Sequence, residues 1–210
     1  MINFHKSIDT YYSNKIREYG ATPKGVDWNG EDGQLIRFHQ LSKIIKKTDF
    51  SINDLGCGYG AYFEYLNNFN FGKFIYKGYD LSKEMVDQAN KIYRKENAGN
   101  SIFMRINSLE ELVRSDYTVA SGIFNVRMDF PEVEWFSYIM DSIEKINEKS
   151  KKGFSFNMLT KYSDKELKKN NLYYADPLFF FDYCKNNYSK EVSLLHDYDL
   201  YEFTILVRKV

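Results

Sequence analysis

Three glycines spaced two apart, Gly56, Gly58 and Gly60, separate a short apolar stretch at residues 50–55 from an amphipathic one at residues 61–69. Glycine has no Cβ, so the chain can turn tightly there and lay its backbone against a ligand. A strand, a glycine turn and a helix in that order hold a nucleotide-like molecule at the edge of a parallel sheet. Two carboxylates accompany the turn. Asp54 stands just before it. Asp80 closes a second apolar stretch at residues 74–80, 20 positions past Gly60. A carboxylate at the end of a second strand can accept both hydroxyl protons of a ribose.

Asp54 separates two candidate ligands. Gly56-x-Gly58-x-x-Ala61 also fits the dinucleotide fingerprint, whose third position allows Ala. A dinucleotide, however, brings a doubly negative pyrophosphate to the turn, and an adjacent carboxylate repels it. S-adenosylmethionine (SAM) brings a sulfonium and an α-ammonium, which the same carboxylate attracts. Asp80 serves either ligand.

The elements that must position these groups can be read from periodicity. Strand candidates at 50–55, 74–80, 102–106, 117–123 and 153–159 alternate with helix candidates at 61–69, 82–97, 108–114 and 133–149. That alternation predicts a parallel sheet with helices on both faces. The pattern then changes to a helix at 177–187, a strand at 191–196, a short polar turn and a strand at 202–209. Two further helices, at 4–19 and about 31–46, precede the first strand. The expected fold is α/β: a Rossmann-like, doubly wound, mostly parallel seven-stranded sheet with a C-terminal antiparallel hairpin and an N-terminal helical cap. Residues 1–48 are read as the cap and 49–210 as the core, within one structural domain.

The run Asp54-Leu55-Gly56-Cys57-Gly58-Tyr59-Gly60 and the tetrapeptide Tyr79-Asp80-Leu81-Ser82 resemble the first two motifs of the class I SAM-dependent methyltransferases. The terminal hairpin is also that family's layout, and the resemblance spans roughly residues 50–210. It implies SAM as cofactor and S-adenosylhomocysteine (SAH) as product. It also implies contacts from Asp54, Gly56, Cys57, Gly58, Gly60, Asp80 and Leu81, with Met85 packed on the adenine. Asn107 matches a polar position that contacts the adenine amino group, and Ser108 adjoins it; both residue types equally suit a helix N-cap. Gly122, Phe124 and Asn125 follow the fourth strand, where the family lines the methyl-donor end. Phe124-Asn125-Val126-Arg127 lacks the proline pair of the nucleobase amino-methyltransferases, which argues against a nucleobase acceptor. Asn125 is either an orienting group for the acceptor or a structural loop amide.

The N-terminal layer and the late loops would complete the site. Trp28 and Arg37 suit a cover over the cofactor, since Arg binds carboxylates bidentately and SAM has one; the alternative for Arg37 is a solvated charge. Tyr11 and Tyr12 either close a lid or pack in the core. Residues 160–177 form a long segment at the active edge, and such segments tend to be lids. Tyr173, Tyr174 and Asp176 are its candidate acceptor contacts. At the end of the sixth strand stand His196, Asp197, Tyr198 and, further on, Glu202. His196 is a candidate general base near neutral pH, oriented by Asp197 or Glu202, with Tyr198 near the acceptor; the same residues also make an ordinary turn. His5 and His39 are read as packing or surface residues.

Composition narrows the partners. The chain has 210 residues, with 29 Lys+Arg against 29 Asp+Glu, so no basic excess points to a nucleic acid. No 18-residue apolar run suggests a membrane span, and the N-terminus lacks a signal-peptide pattern. Two cysteines make no disulfide framework, and a cytoplasmic protein is expected. No metal-ligand spacing is present. The partner expected is a small molecule. Gly20-x-x-Pro23-x-Gly25-Val26-Asp27-Trp28 and His196-Asp197-Tyr198-x-Leu200-Tyr201-Glu202-Phe203 resemble bacterial enzymes of sugar or surface-polysaccharide pathways, and that resemblance implies a sugar or related metabolite methylated on a hydroxyl, with N-transfer the second choice. The protein itself is expected as a monomer or homodimer. Two other readings stay open: an NAD(P)-dependent oxidoreductase on the same sheet and a non-catalytic SAM-binding protein.

Overall fold

Seven strands form one sheet in the computed structural model, which describes residues 4–28, 30–93 and 100–209. They are β1 (Asp49–Leu55), β2 (Lys73–Asp80), β3 (Ser101–Arg105), β4 (Ser115–Ala120), β5 (Ser150–Leu159), β6 (Glu191–Leu195) and β7 (Glu202–Arg208). Their order across the sheet is β3-β2-β1-β4-β5-β7-β6. β1 pairs in parallel with β2 and β4, β2 with β3, and β4 with β5. β7 runs against both β5 and β6, which is the expected hairpin. The chain builds outward from β1 to β3 and then returns to β4 on the other side. The carboxyl ends of β1 and β4 therefore flank the switch point where open α/β sheets bind ligands.

Successive strand residues face opposite sides, and both sides are buried. Phe50, Ile52, Phe74, Tyr76, Tyr117 and Val119 pack against helices α2 (Glu31–Ser42), α3 (Ala61–Asn68) and α4 (Lys83–Tyr93), through Phe38, Leu41, Phe63, Leu66, Val86 and Ala89. Leu55, Tyr79, Phe154, Phe156, Ile205 and Val207 pack against α5 (Glu132–Lys149) and α6 (Pro177–Asn187), through Trp135, Ile139, Ile143, Ile146, Phe180 and Cys184. Helix α1 (Phe4–Tyr19) joins the β2 end of the sheet by polar contacts. Asp9 pairs with Arg105 at 3.1 Å, the Ser13 and Ser82 hydroxyls meet at 2.8 Å, and Arg17 pairs with Glu84.

Several elements end differently from the sequence pattern. The helix expected at 108–114 is one 3-10 turn, Leu109–Glu111, because Leu112 is already extended (φ −62°, ψ 131°). α2 stops at Ser42, although Ile44 beyond it is fully buried. β4 ends at Ala120 rather than 123, and Gly122 turns the chain with φ +71°. Residues 94–97 of the expected fourth helix, the N-terminal tripeptide and Val210 lie outside the described residues. No helix among the described residues is long and apolar enough to cross a membrane.

Candidate active site

The glycine turn leaves β1 with its backbone tied to β2. Both Gly56 and Cys57 donate their N–H groups to the Tyr79 carbonyl, at 2.8 and 3.0 Å. Gly58 has φ +53°, and a Cβ on it would fall 2.9 Å from Val26 Cγ1. The missing side chain keeps open a cavity between the turn and the N-terminal layer. Gly122 plays the same part across the cavity: with φ +71°, its Cβ would meet the Trp28 ring at 2.4 Å.

Two carboxylates face this cavity, Asp54 buried and Asp80 partly buried. Asp80 accepts the Gly58 N–H at 2.9 Å on one oxygen and the Ser82 N–H at 2.8 Å on the other. A carboxylate oxygen has two lone pairs, so each retains one for a ligand hydroxyl. Burial pushes the Asp80 carboxyl up to about 6, against the pull of those backbone N–H groups. Asp54 accepts the Tyr76 hydroxyl at 2.5 Å, and burial pushes it up to about 7 despite that bond. Among the described residues no Lys or Arg lines the cavity. Its electrostatics therefore favour a cation and disfavour a pyrophosphate.

The residues present fit SAM. Ser121 lines the same cavity, and its buried hydroxyl has no hydrogen-bond partner. An unmet buried hydroxyl costs about 1–3 kcal/mol, which a polar ligand group there would relieve. Leu81 and Met85 line the apolar end with Ile8, Leu109 and Tyr138, as do Gly56, Cys57, Trp28 and Gly122 elsewhere. Gly60 opens α3.

Of the expected cofactor contacts, Gly60, Arg37, Asn107, Ser108 and Phe124 do not line this cavity. Asn107 is exposed; its N–H donates to Glu111, and His5 Nδ1 lies 2.8 Å from its carbonyl oxygen. Ser108 completes a capping box with Glu111, so the capping alternative describes Ser108, with Asn107 one position before the cap. Phe124 is fully buried, and its carbonyl accepts the Trp135 indole N–H at 3.0 Å. His5, read from sequence as a packing or surface residue, lines the cavity. Its approach depends on how α1 crosses the sheet edge, for which no local signal exists.

A second cavity of about 350 Å³ adjoins the first, lined from α1, α2 and the loops after β4 and β5. Tyr12, Val26, Trp28 and Gly122 line both, so the two meet at these four residues. Arg37 belongs here. Its Nε lies 3.0 and 2.9 Å from the two Glu202 oxygens and its Nη2 is 2.7 Å from Oε1. The guanidinium stacks 3.8 Å from the Trp28 ring. Glu202 also accepts the Asn157 amide at 2.5 Å, and Asn157 in turn accepts the Gly122 N–H at 2.7 Å. Arg37 thus holds Glu202 rather than reaching the cofactor cavity, and it carries Trp28 on its face.

Asn125 lines the second cavity, with its side-chain oxygen accepting the Leu159 N–H at 3.0 Å and its carbonyl the Tyr173 N–H at 2.8 Å. His196 is exposed, 6.0 Å from the Tyr162 ring. Its strand does end at the same sheet edge. β7, however, lies between β5 and β6, which puts β6 four strands from β1, or about 19 Å at ordinary strand spacing. The Tyr198 hydroxyl meets Thr204 at 2.8 Å. Tyr173 is buried in the core, the Tyr174 hydroxyl accepts the Lys169 N–H, and Asp176 caps α6 and pairs with Lys161. None of these side chains lines either cavity. The same loop instead contributes Lys169, Asn171 and Leu172.

Comparison with known proteins bears on this arrangement. Residues 53–124 match the family described as a methyltransferase domain. The chain is 51% identical over 168 residues to Rv1506c of Mycobacterium tuberculosis (strain ATCC 25618 / H37Rv), provisionally named a methyltransferase; the match covers 80% of this chain and 98% of that protein. Solved structures share the fold at low identity. One is a DhpI–SAM–HEP complex (TM-score 0.67, 13% identity, 100% of this chain and 99% of that one). Another is the N-terminal domain of EvdMO1 in the presence of SAH and D-fucose (TM-score 0.61, 14% identity, 95% and 96%). A third is magnesium protoporphyrin IX methyltransferase (ChlM) from Synechocystis PCC 6803 with bound SAM (TM-score 0.54, 13% identity, 100% and 86%).

Proposed function

The chain belongs to the class I SAM-dependent methyltransferases, and we propose that it methylates a hydroxyl of a small-molecule acceptor, a sugar or related metabolite. The observation that carries this reading is the pair of joined cavities: one lined by two carboxylates and, among the described residues, by no Lys or Arg, the other polar and aromatic. Bound SAM supplies a methyl group on a sulfonium, already a good leaving group. The protein's task is then alignment at near-attack distance.

In this reading Asp80 takes the ribose hydroxyls, Asp54 favours the cationic end, and Ser121 satisfies a polar group nearby. Met85 and Leu81 pack on the base. The acceptor occupies the second cavity, whose volume of about 350 Å³ lies in the range of small-molecule sites. Tyr11, Tyr12 and Trp28 offer flat apolar faces, while Asp27, Asn125 and Asn171 offer planar polar groups. Together these suit a ring bearing several hydroxyls. One fold neighbour was crystallised with D-fucose, so the architecture is compatible with a sugar. The balanced charge of the chain supports a small acceptor over a nucleic acid. A cytoplasmic protein, monomeric or homodimeric, completes the proposal.

The test is transfer of a radiolabelled methyl group from SAM to a panel of free sugars and nucleotide sugars, D-fucose included. Label retained in at least one sugar, and lost when its free hydroxyls are blocked, is the expected result. Transfer only to amines would replace the hydroxyl acceptor with a nitrogen one.

A further inference from the structure

With His196 remote from both cavities, the proton of the acceptor hydroxyl needs another destination. The acceptor cavity contains two carboxylates, Asp27 and Glu202, and no histidine among its described lining residues. Glu202 has no capacity to spare. Arg37 engages both its oxygens, Asn157 adds a further bond, and its side chain is 1% exposed. Tyr11 and Tyr12 are phenols that burial pushes further from ionisation. Lys15 is held in its charged form by its bond to Asp27.

Asp27 differs from Glu202 in each respect. Its side chain is 29% exposed. One oxygen pairs with Lys15 Nζ at 2.7 Å and the other accepts the Tyr11 hydroxyl at 2.7 Å. Each retains a lone pair. Its chain neighbours Val26 and Trp28 line both cavities, so Asp27 stands where they meet. Its backbone is left-handed (φ 64°, ψ 31°), a conformation uncommon outside glycine and found at functional positions. Lys15 and Tyr11 on α1 fix a carboxylate that the turn Pro23–Val26 presents.

The geometry points to Asp27 as the general base of the reaction, a role that rests on the hydroxyl acceptor proposed above. As the acceptor oxygen bonds to the methyl carbon, the carbon–sulfur bond breaks and the sulfur keeps its electron pair. The hydroxyl proton passes to the free lone pair of Asp27 and from there to solvent. A carboxylate suffices, because the hydroxyl becomes strongly acidic as its oxygen acquires a third bond. Lys15 and Tyr11 act as positioning residues for Asp27.

Asp27→Asn and Lys15→Met separate this role from a structural one. Asn adopts the left-handed conformation at least as readily as Asp, and both variants break the same ion pair. SAH affinity by calorimetry reports an intact cofactor cavity, and kcat and KM are measured on the sugar that the wild type methylates. Asp27→Asn is expected to keep SAH affinity within about twofold and to lose about 10²-fold or more in kcat, the usual contribution of a general base. Lys15→Met is expected to lose at most about tenfold. Equal losses in the two variants, or an unchanged kcat in Asp27→Asn, would overturn the assignment. A wild type that binds SAH but methylates no sugar would instead remove the hydroxyl acceptor, and the base with it.

Discussion

At the scale of single residues, burial disfavours the ionised forms of Asp54 and Asp80. Burial raises them from an ordinary value of 3.8 to about 7 and about 6. Between pH 4 and 7 the folded, ligand-free protein thus binds more protons at these sites than the unfolded chain. By linkage their contribution to stability falls as pH rises through that window. Binding a cationic ligand reverses the preference, so SAM affinity should increase from pH 5.5 to 7.5 with release of protons, visible by calorimetry in buffers of different ionisation enthalpy. Affinity independent of pH would remove these carboxylates from the site. Asp54→Asn is expected to weaken SAM binding more than tenfold without lowering the ligand-free melting temperature at pH 7.5. The placement of both residues at the cavity was legible in the sequence, because position relative to a strand end is local information. The burial of Phe124 was not, because its carbonyl accepts the indole N–H of Trp135 from another element, a contact that only the packed fold creates.

At the scale of elements, the buried Arg37–Glu202 pair fastens α2 to the start of β7 and supports Trp28 at the junction of the cavities. Removing one partner from a buried pair costs about 3–5 kcal/mol, because it strands the other charge. Arg37→Met should therefore destabilise the protein by that amount in urea denaturation, and Arg37→Met with Glu202→Gln should recover part of it. A neutral Arg37→Met would show that the pair carries no structural load. This contact joins residues 165 apart in sequence, so no spacing argument reaches it. His196 illustrates the same limit. Its strand direction and its sheet edge followed from periodicity. Its lateral position did not, because the insertion of β7 between β5 and β6 is a property of sheet order. The segment 108–114 failed for a different reason: it has a helix-start signal in Ser108 and Glu111 but leaves the helical conformation after one turn.

At the scale of the whole molecule, the alternation of strands and helices and the final hairpin were enough to derive the sheet, since both faces must be covered and crossovers of one hand are favoured. The first helix and the turn after it place the second cavity beside the first, and that juxtaposition arises only in three dimensions. Ligand binding to the folded state alone adds about 2.7 kcal/mol at a hundredfold excess over Kd, which for a chain of this size raises the melting temperature by about 5–10 °C. SAH should produce that shift, and Gly58→Val should abolish it while the variant still melts cooperatively. A normal shift in Gly58→Val would contradict the turn geometry.

The most direct measurement is a calorimetric titration of the wild type and of Asp80→Ala with SAH, with NAD and NADP titrated separately. Micromolar SAH binding by the wild type, at least tenfold weaker in Asp80→Ala, with no binding of either nicotinamide nucleotide, is the predicted result. Equal SAH affinity in the two proteins, or tight binding of NAD or NADP, would contradict a cofactor site built on the glycine turn and its two carboxylates.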